Sequence, residues 1–266
     1  MSSDLLQGFP STLRERVRVG KLGAAPALLC HPEPVSSAPR AAPLLLWLHG
    51  RTVRKEIDSA RFLRLTRAGF ACLAIDLPGH GERLDPALQA PDALPQLLAA
   101  GVAELDEVLA SLWASDWAPL IDRERLALGG MSAGGMIALR RLCDSHPFRC
   151  AVVESSCGDF QAAGGGRFPA SQLEPFDPAR HLAGWQAELP FLALHSERDE
   201  VCPLVGITRF VQALKSRYQA PERVTLQTWP ETGAPKEHAG FGRKSHAARV
   251  ALIEFLSASL GTVEGP

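Results

Sequence analysis

Apolar positions along the chain fall into two rhythms. Short runs such as "PLLLWLHG" (43–50), "FACLAID" (70–76), "RCAVVES" (149–155) and "PFLALHS" (190–196) are apolar without alternation. That is the pattern of strands covered on both faces. "RLALGG" (125–130) and "RVTLQTW" (223–229) read as further strands, and "RERVRVG" (14–20) with "PALLCHP" (26–32) as two edge strands close enough in sequence to pair as a hairpin. Between them lie stretches with helical spacing: "SARFLRLTRAG" (59–69), "PQLLAAGVAELDEVLASLWAS" (95–115), "GITRFVQALKSRY" (206–218) and "SHAARVALIEFLSASL" (245–260). Strands alternating with helices imply right-handed crossovers, hence an α/β fold with a mostly parallel central sheet and helices on both faces.

One strand–helix junction is unusual. "GGMSAGG" (129–135) joins "RLALGG" to "AGGMIALRRLC", placing Ser132 among four glycines. Gly130 and Gly134 occupy the flanking positions of G-x-S-x-G, a turn so sharp that strand and helix leave no room for side chains there. Gly135 lies outside the pattern and suits close helix packing. The helix that follows presents unpaired N–H groups to an anion beside the serine. A serine that merely caps a helix needs no glycine on both sides.

A serine nucleophile needs a base, and the base an orienting acid. With this elbow the chain order is serine, acid, histidine. "LALHSERDEVCP" (192–203) offers Asp199 after a strand, and "TWPETGAPKEHAGFG" (228–242) offers His238 after the last strand. Glu154, ending the strand after the nucleophile helix, is the alternative acid. Glu200 is expected to be solvated, His246 to lie on the surface of the last helix, and His195 and His181 to be structural. The backbone N–H groups of Ala133 and Arg51 are the expected oxyanion donors, the latter from "WLHGRTVRKE" (47–56), with His49 tying that loop down. The Arg51 side chain is expected either to reach substrate or to pair with Glu56, Asp58 or Glu82.

With these residues in view, the chain resembles the α/β-hydrolase fold, and among its members bacterial serine carboxylesterases of the prolyl-oligopeptidase and dienelactone-hydrolase branches. The segments that carry the resemblance are "LLLWLHGRT", "GFACLAIDLPGHGER" (69–83), "LGGMSAGG", "FLALHSERDEVCP" and the "EHAGFG" loop. They run from about residue 44 to the end. Arg51 departs from the apolar or aromatic residue many such esterases carry. The resemblance implies ester hydrolysis through an acyl-enzyme, with no metal or organic cofactor, and the short insertion at 155–189 favours short-chain or small aromatic esters. A peptidase or thioesterase with the same residues is the alternative, and a non-catalytic small-molecule receptor a more distant one.

Residues 155–189, about 35 positions rich in glycine and proline, are expected to form a small cap on one domain spanning 1–266. Phe160, Phe168, Phe176 and Trp185 are candidates for an acyl-pocket wall, with helix-to-sheet packing the alternative for Trp185. A net charge of −1 with interspersed signs gives no argument for nucleic acid or an anionic membrane. No apolar run is long enough to span a bilayer. The start lacks a secretory h-region, and the six cysteines lack metal-site spacing. A cytoplasmic protein with free thiols is the expectation.

Overall fold

The unalternating runs become the inner strands of one eight-stranded sheet. The computed structural model describes residues 6–34, 36, 40–164, 168–185 and 188–261. Its strands are β1 (Val17–Leu22), β2 (Ala25–Cys30), β3 (Ala42–Leu48), β4 (Ala71–Ile75), β5 (Ile121–Met131), β6 (Cys150–Glu154), β7 (Phe191–Ser196) and β8 (Val224–Trp229). The longer helices are α1 (Ser59–Arg67), α2 (Leu94–Ala114), α3 (Ala133–Arg141), α4 (Leu204–Lys215) and α5 (Ser245–Leu260). Strand order across the sheet is β1-β2-β4-β3-β5-β6-β7-β8. β2 runs antiparallel to β1 and β4, and the remaining neighbours are parallel.

The two-residue period of a strand explains why the inner runs show no polar alternation. In β3, Leu44, Leu46 and Leu48 enter the core beneath α2, α3 and α4. Leu45 and Trp47 enter the one beneath α1 and α5. Both faces are dry, so every position is apolar. β5 begins four residues before the predicted "RLALGG", because its polar start pairs with β3 at Ala42↔Ile121 across a register shift.

The chain leaves β3 for β4 on one side, then returns past β3 to lay down β5 on the other. Loops at the carboxyl ends of β3 and β5 therefore diverge and open a crevice, the position at which such sheets bind ligands. Leu48 pairs with Gly130 there, which sets Gly50 beside the start of α3.

Residues 155–189 carry only short helical turns among the described residues, at Ala170–Leu173, Glu174–Phe176 and Pro178–Gly184. All six cysteines are free and buried. Burial pushes the Cys150 thiol up to about 12, so it behaves as a small apolar group. Among the described residues no helix is long and apolar enough to cross a membrane.

Candidate active site

Ser132 sits between β5 and α3 with φ 52° and ψ −121°, a left-handed backbone that a serine adopts only under constraint. The glycines around it supply that constraint. A Cβ on Gly130 would lie 2.5 Å from the Gly134 backbone, and one on Gly134 would strike the carbonyl oxygens of Leu48 and His49. The turn is locked from behind as well. Ser132 N donates to Glu154 O at 2.9 Å, and Ser156 Oγ donates to Ser132 O at 3.0 Å.

Two distant loops converge on the hydroxyl. His238 Nε2 lies 3.0 Å from Ser132 Oγ, and its Nδ1 lies 2.8 and 3.0 Å from the Asp199 carboxylate oxygens. A carboxylate only accepts, so the ring proton belongs on Nδ1 and Nε2 is left with a lone pair toward the serine. Asp199 is held by its own loop, because its Oδ1 accepts from Val201 N at 2.8 Å and Cys202 N at 2.7 Å. His195 lies beneath it, Nε2 at 2.8 Å from Cys202 O and 3.6 Å from Asp199 Oδ2. Burial lowers the His195 pKa, and it serves as a strut. The two backbone donors on Asp199 were not readable in advance, since nothing in "SERDEVCP" distinguishes them.

The competing acid is spoken for. Glu154 accepts a bidentate pair from Arg61 at 2.6 and 2.7 Å, with both side chains buried. The Arg61 guanidinium also stacks 4.1 Å over the Trp47 ring. Glu200 is exposed, as is His246 on α5. His181 Nε2 lies 3.1 Å from Glu174 O.

On the β3 side, His49 Nδ1 donates to Gly50 O at 2.6 Å while Nε2 accepts from Leu77 N at 3.0 Å. Burial lowers its pKa to about 4, so the ring is neutral and both nitrogens are used structurally. A trans peptide sends its N–H opposite its carbonyl. Pinning Gly50 O toward His49 therefore turns the Arg51 N–H the other way. Ala133 supplies the first N–H of α3, where helices lack internal acceptors. The Arg51 side chain is anchored on backbone carbonyls. Its Nη2 donates to the carbonyls of Gln89 and Ala90 at 2.7 and 2.8 Å. Lys55 takes Glu56 and Glu82, and the Trp47 indole and Arg61 take Asp58.

Ser132 and Ala133 open onto a cavity of about 320 Å³ lined mainly by apolar side chains, among them Leu94, Met136, Phe160, Phe168 and Leu173, with Arg51 at its edge. Two of the four predicted wall aromatics are there, Phe160 and Phe168. Phe176 packs on the core instead. Trp185 is buried, its Nε1 donating to Tyr218 Oη at 2.7 Å and its ring set edge-on to Phe191 and Phe210. Its indole needed a polar partner within the core, and Tyr218 supplied one. Among the described residues no group of three or more His, Cys, Asp or Glu is arranged to hold a metal ion.

Residues 45–253 match the alpha/beta hydrolase family. The chain belongs to that family. This alpha/beta hydrolase is 28% identical over 200 residues to esterase YjfP of Escherichia coli (strain K12), covering 69% of this chain and 79% of that protein. Among solved structures it superposes on TT1662 from Thermus thermophilus with a TM-score of 0.69 at 24% identity, covering 93% of this chain and 100% of the other. A puromycin-hydrolyzing peptidase from Mycobacterium tuberculosis gives a TM-score of 0.71 at 20% identity, covering 98% of this chain and 43% of the peptidase. At those identities the likeness is one of fold, and the chain spans less than half of the peptidase's length. The chain is thus a hydrolase built on the α/β-hydrolase fold.

Proposed function

We propose that this hydrolase is a serine carboxylesterase acting on short-chain or small aromatic carboxylic esters. The observation that carries the reading is the Ser132 Oγ to His238 Nε2 approach of 3.0 Å at the mouth of a small, mainly apolar cavity. Ser132 attacks the ester carbonyl as His238 Nε2 takes its proton, and the Nδ1–H bond to Asp199 stabilises the imidazolium that forms. The developing oxyanion lies between the N–H groups of Ala133 and Arg51, a contribution of about 3 kcal/mol per donor. The alcohol leaves with the proton from Nε2. Water, deprotonated by the same nitrogen, then releases the acid from the acyl-enzyme. Residues 155–189 act as a small cap, contributing Phe160 and Phe168 to the acyl wall. The esterase name of a 28% identical relative is in keeping with this reading.

The test is turnover of p-nitrophenyl acetate and butyrate by the wild type and by Ser132→Ala. The variant is expected to lose about six orders of magnitude in kcat, and a fluorophosphonate probe to label Ser132 alone. A Ser132→Ala variant with near wild-type rates refutes the mechanism. Faster turnover of the matching p-nitroanilides or acyl thioesters transfers the same residues to a peptidase or a thioesterase.

A further inference from the structure

The residue before the proposed base carries a carboxylate that none of the chemistry above uses. Glu237 Oε2 accepts from Ser196 Oγ at 2.7 Å, Thr232 N at 2.6 Å and Thr232 Oγ at 2.8 Å, while Oε1 accepts from Gly233 N at 2.7 Å. Four donors on one carboxylate hold it ionised, with the Ser196 hydroxyl first among the causes and the pKa lowered to about 2.

The donors come from two different loops. Ser196 ends β7, and its carbonyl accepts the Asp199 N–H at 3.2 Å, so it is the root of the loop that carries the acid. Thr232 and Gly233 begin the loop that carries the base. A backbone bond from Glu200 N to Lys236 O at 3.1 Å runs alongside. The Asp199–His238 contact lies across this same seam.

The base loop needs an external hold. Lys236 and Glu237 sit at φ 52° and 51°, left-handed values that non-glycine residues keep only under constraint. Gly233, Gly240 and Gly242 are also at positive φ, so the backbone around the base is intrinsically pliable. Its far end is pinned by Phe241, buried and edge-on to Trp229 with ring centres 5.3 Å apart. At its near end Glu237 does the pinning.

We propose that Glu237 is a positioning residue, its carboxylate clasping the acid loop to the base loop so that His238 Nε2 is kept within reach of Ser132 Oγ. The proposal rests on the reading of Ser132 as nucleophile and His238 as base. Both Glu237 oxygens are occupied by the clasp, and the residue forms no part of the described cavity lining. It therefore acts through His238 and not on substrate. A glutamine is a poor replacement. Its amide nitrogen must face either the Gly233 N–H or the three donors now on Oε2, and in both orientations donor meets donor.

Glu237→Gln is expected to lower kcat toward p-nitrophenyl butyrate by about 10- to 100-fold per folded molecule, the scale of a small misplacement of a catalytic group. KM should stay within about twofold, because the cavity wall is untouched. The downfield proton resonance of His238 Nδ1–H against Asp199 should broaden or vanish, which loss of stability alone would not cause. Ser196→Ala should give a smaller loss with the same spectral change, and should add nothing in the Glu237→Gln background. Glu231→Gln, in an exposed ion pair at the start of the same loop, should leave kcat unchanged. Wild-type kcat and resonance in Glu237→Gln, alongside an inactive His238→Ala, overturn the clasp and spare the function. Should Glu237→Gln not fold, a Ser196→Ala variant with unaltered kcat and resonance overturns it equally. A His238→Ala variant that keeps its rate refutes the functional reading and the clasp together.

Discussion

Asp199→Asn and Glu154→Gln are near-isosteric changes to the two candidate acids, and the structure gives them opposite consequences. In Asp199→Asn the amide has a forced orientation. Oδ1 accepts from two backbone N–H groups, so the retained oxygen stays there and the new NH₂ replaces Oδ2, 2.8 Å from His238 Nδ1. That NH₂ can only donate. The retained Oδ1 lies 3.0 Å from Nδ1 but already carries two backbone donors, so the imidazole is driven to turn a bare Nδ1 to the NH₂ and to carry its proton on Nε2, where it cannot accept one from Ser132. A triad held in the wrong tautomer loses about four orders of magnitude in kcat, or about 5.5 kcal/mol of transition-state stabilisation. The fold keeps its backbone bonds, and the unfolding temperature should move by only a few degrees. Glu154→Gln takes from the buried Arg61 guanidinium its bidentate partner and leaves it only the longer contact to Asp58 at 3.6 Å. Breaking a buried pair in that way costs about 3 to 5 kcal/mol of stability. The kcat of the molecules that remain folded should be close to wild type. The assay is kcat with p-nitrophenyl butyrate, normalised to titrated active sites, beside thermal unfolding of each variant. A Glu154→Gln variant that unfolds normally but loses four decades, with Asp199→Asn nearly intact, would refute the assignment of the acid.

The cavity of about 320 Å³ is small for a ligand pocket. Each methylene it can bury favours binding by about 0.8 kcal/mol, close to fourfold. Across p-nitrophenyl esters kcat/KM should therefore peak at about C2 to C6 and fall by C10, with no jump at the substrate's solubility limit; a rise through C12 would refute the shallow-pocket reading. The second expectation concerns acid stability. His49 is buried neutral with its pKa lowered to about 4, against 6.5 when free in the unfolded chain. As pH falls through that window the unfolded chain takes up a proton that the folded one refuses, so stability drops by about 2 kcal/mol between neutrality and pH 5. Thermal unfolding at pH 7.5 and 5.0 should show a smaller acid loss for His49→Gln than for the wild type, and equal losses would refute the assignment.

What the sequence makes legible follows from where constraint is local. The inner strands could be read because burial on both faces removes polar residues from a run of five to seven, as in β3 and β4. Ser132 could be read because the elbow constrains its immediate neighbours: a Cβ on Gly130 would collide with the backbone of a residue only four positions on. Asp199 and His238 were reachable through chain order, since loops at one edge of a parallel sheet must meet. The remainder depends on partners far apart in sequence. Arg61 neutralises Glu154 across 93 positions, and no spacing rule links an arginine in the first turn of a helix to a strand-end glutamate. The Arg51 side chain, at the cavity edge, donates to two carbonyls 38 and 39 residues away, partners that no local spacing announces.

Glu237 is the most instructive omission. It lies beside the histidine in "KEHAG", in a loop where a glutamate would ordinarily be solvated. Its partner Ser196 is 41 residues upstream, at the end of a strand whose own pattern speaks only of burial. Chain order identifies which side chains are able to react. The distances between them depend on polar groups such as this one, whose partners are chosen by topology and leave no periodic trace. Electrostatic and hydrogen-bonded positioning works only if it is fixed before the reaction begins. A loop with left-handed backbone at Lys236 and Glu237 is not fixed by its own preferences. The clasp on Glu237 is thus the point at which the ordering of this loop sets the position of His238 and, through it, the reactivity of Ser132.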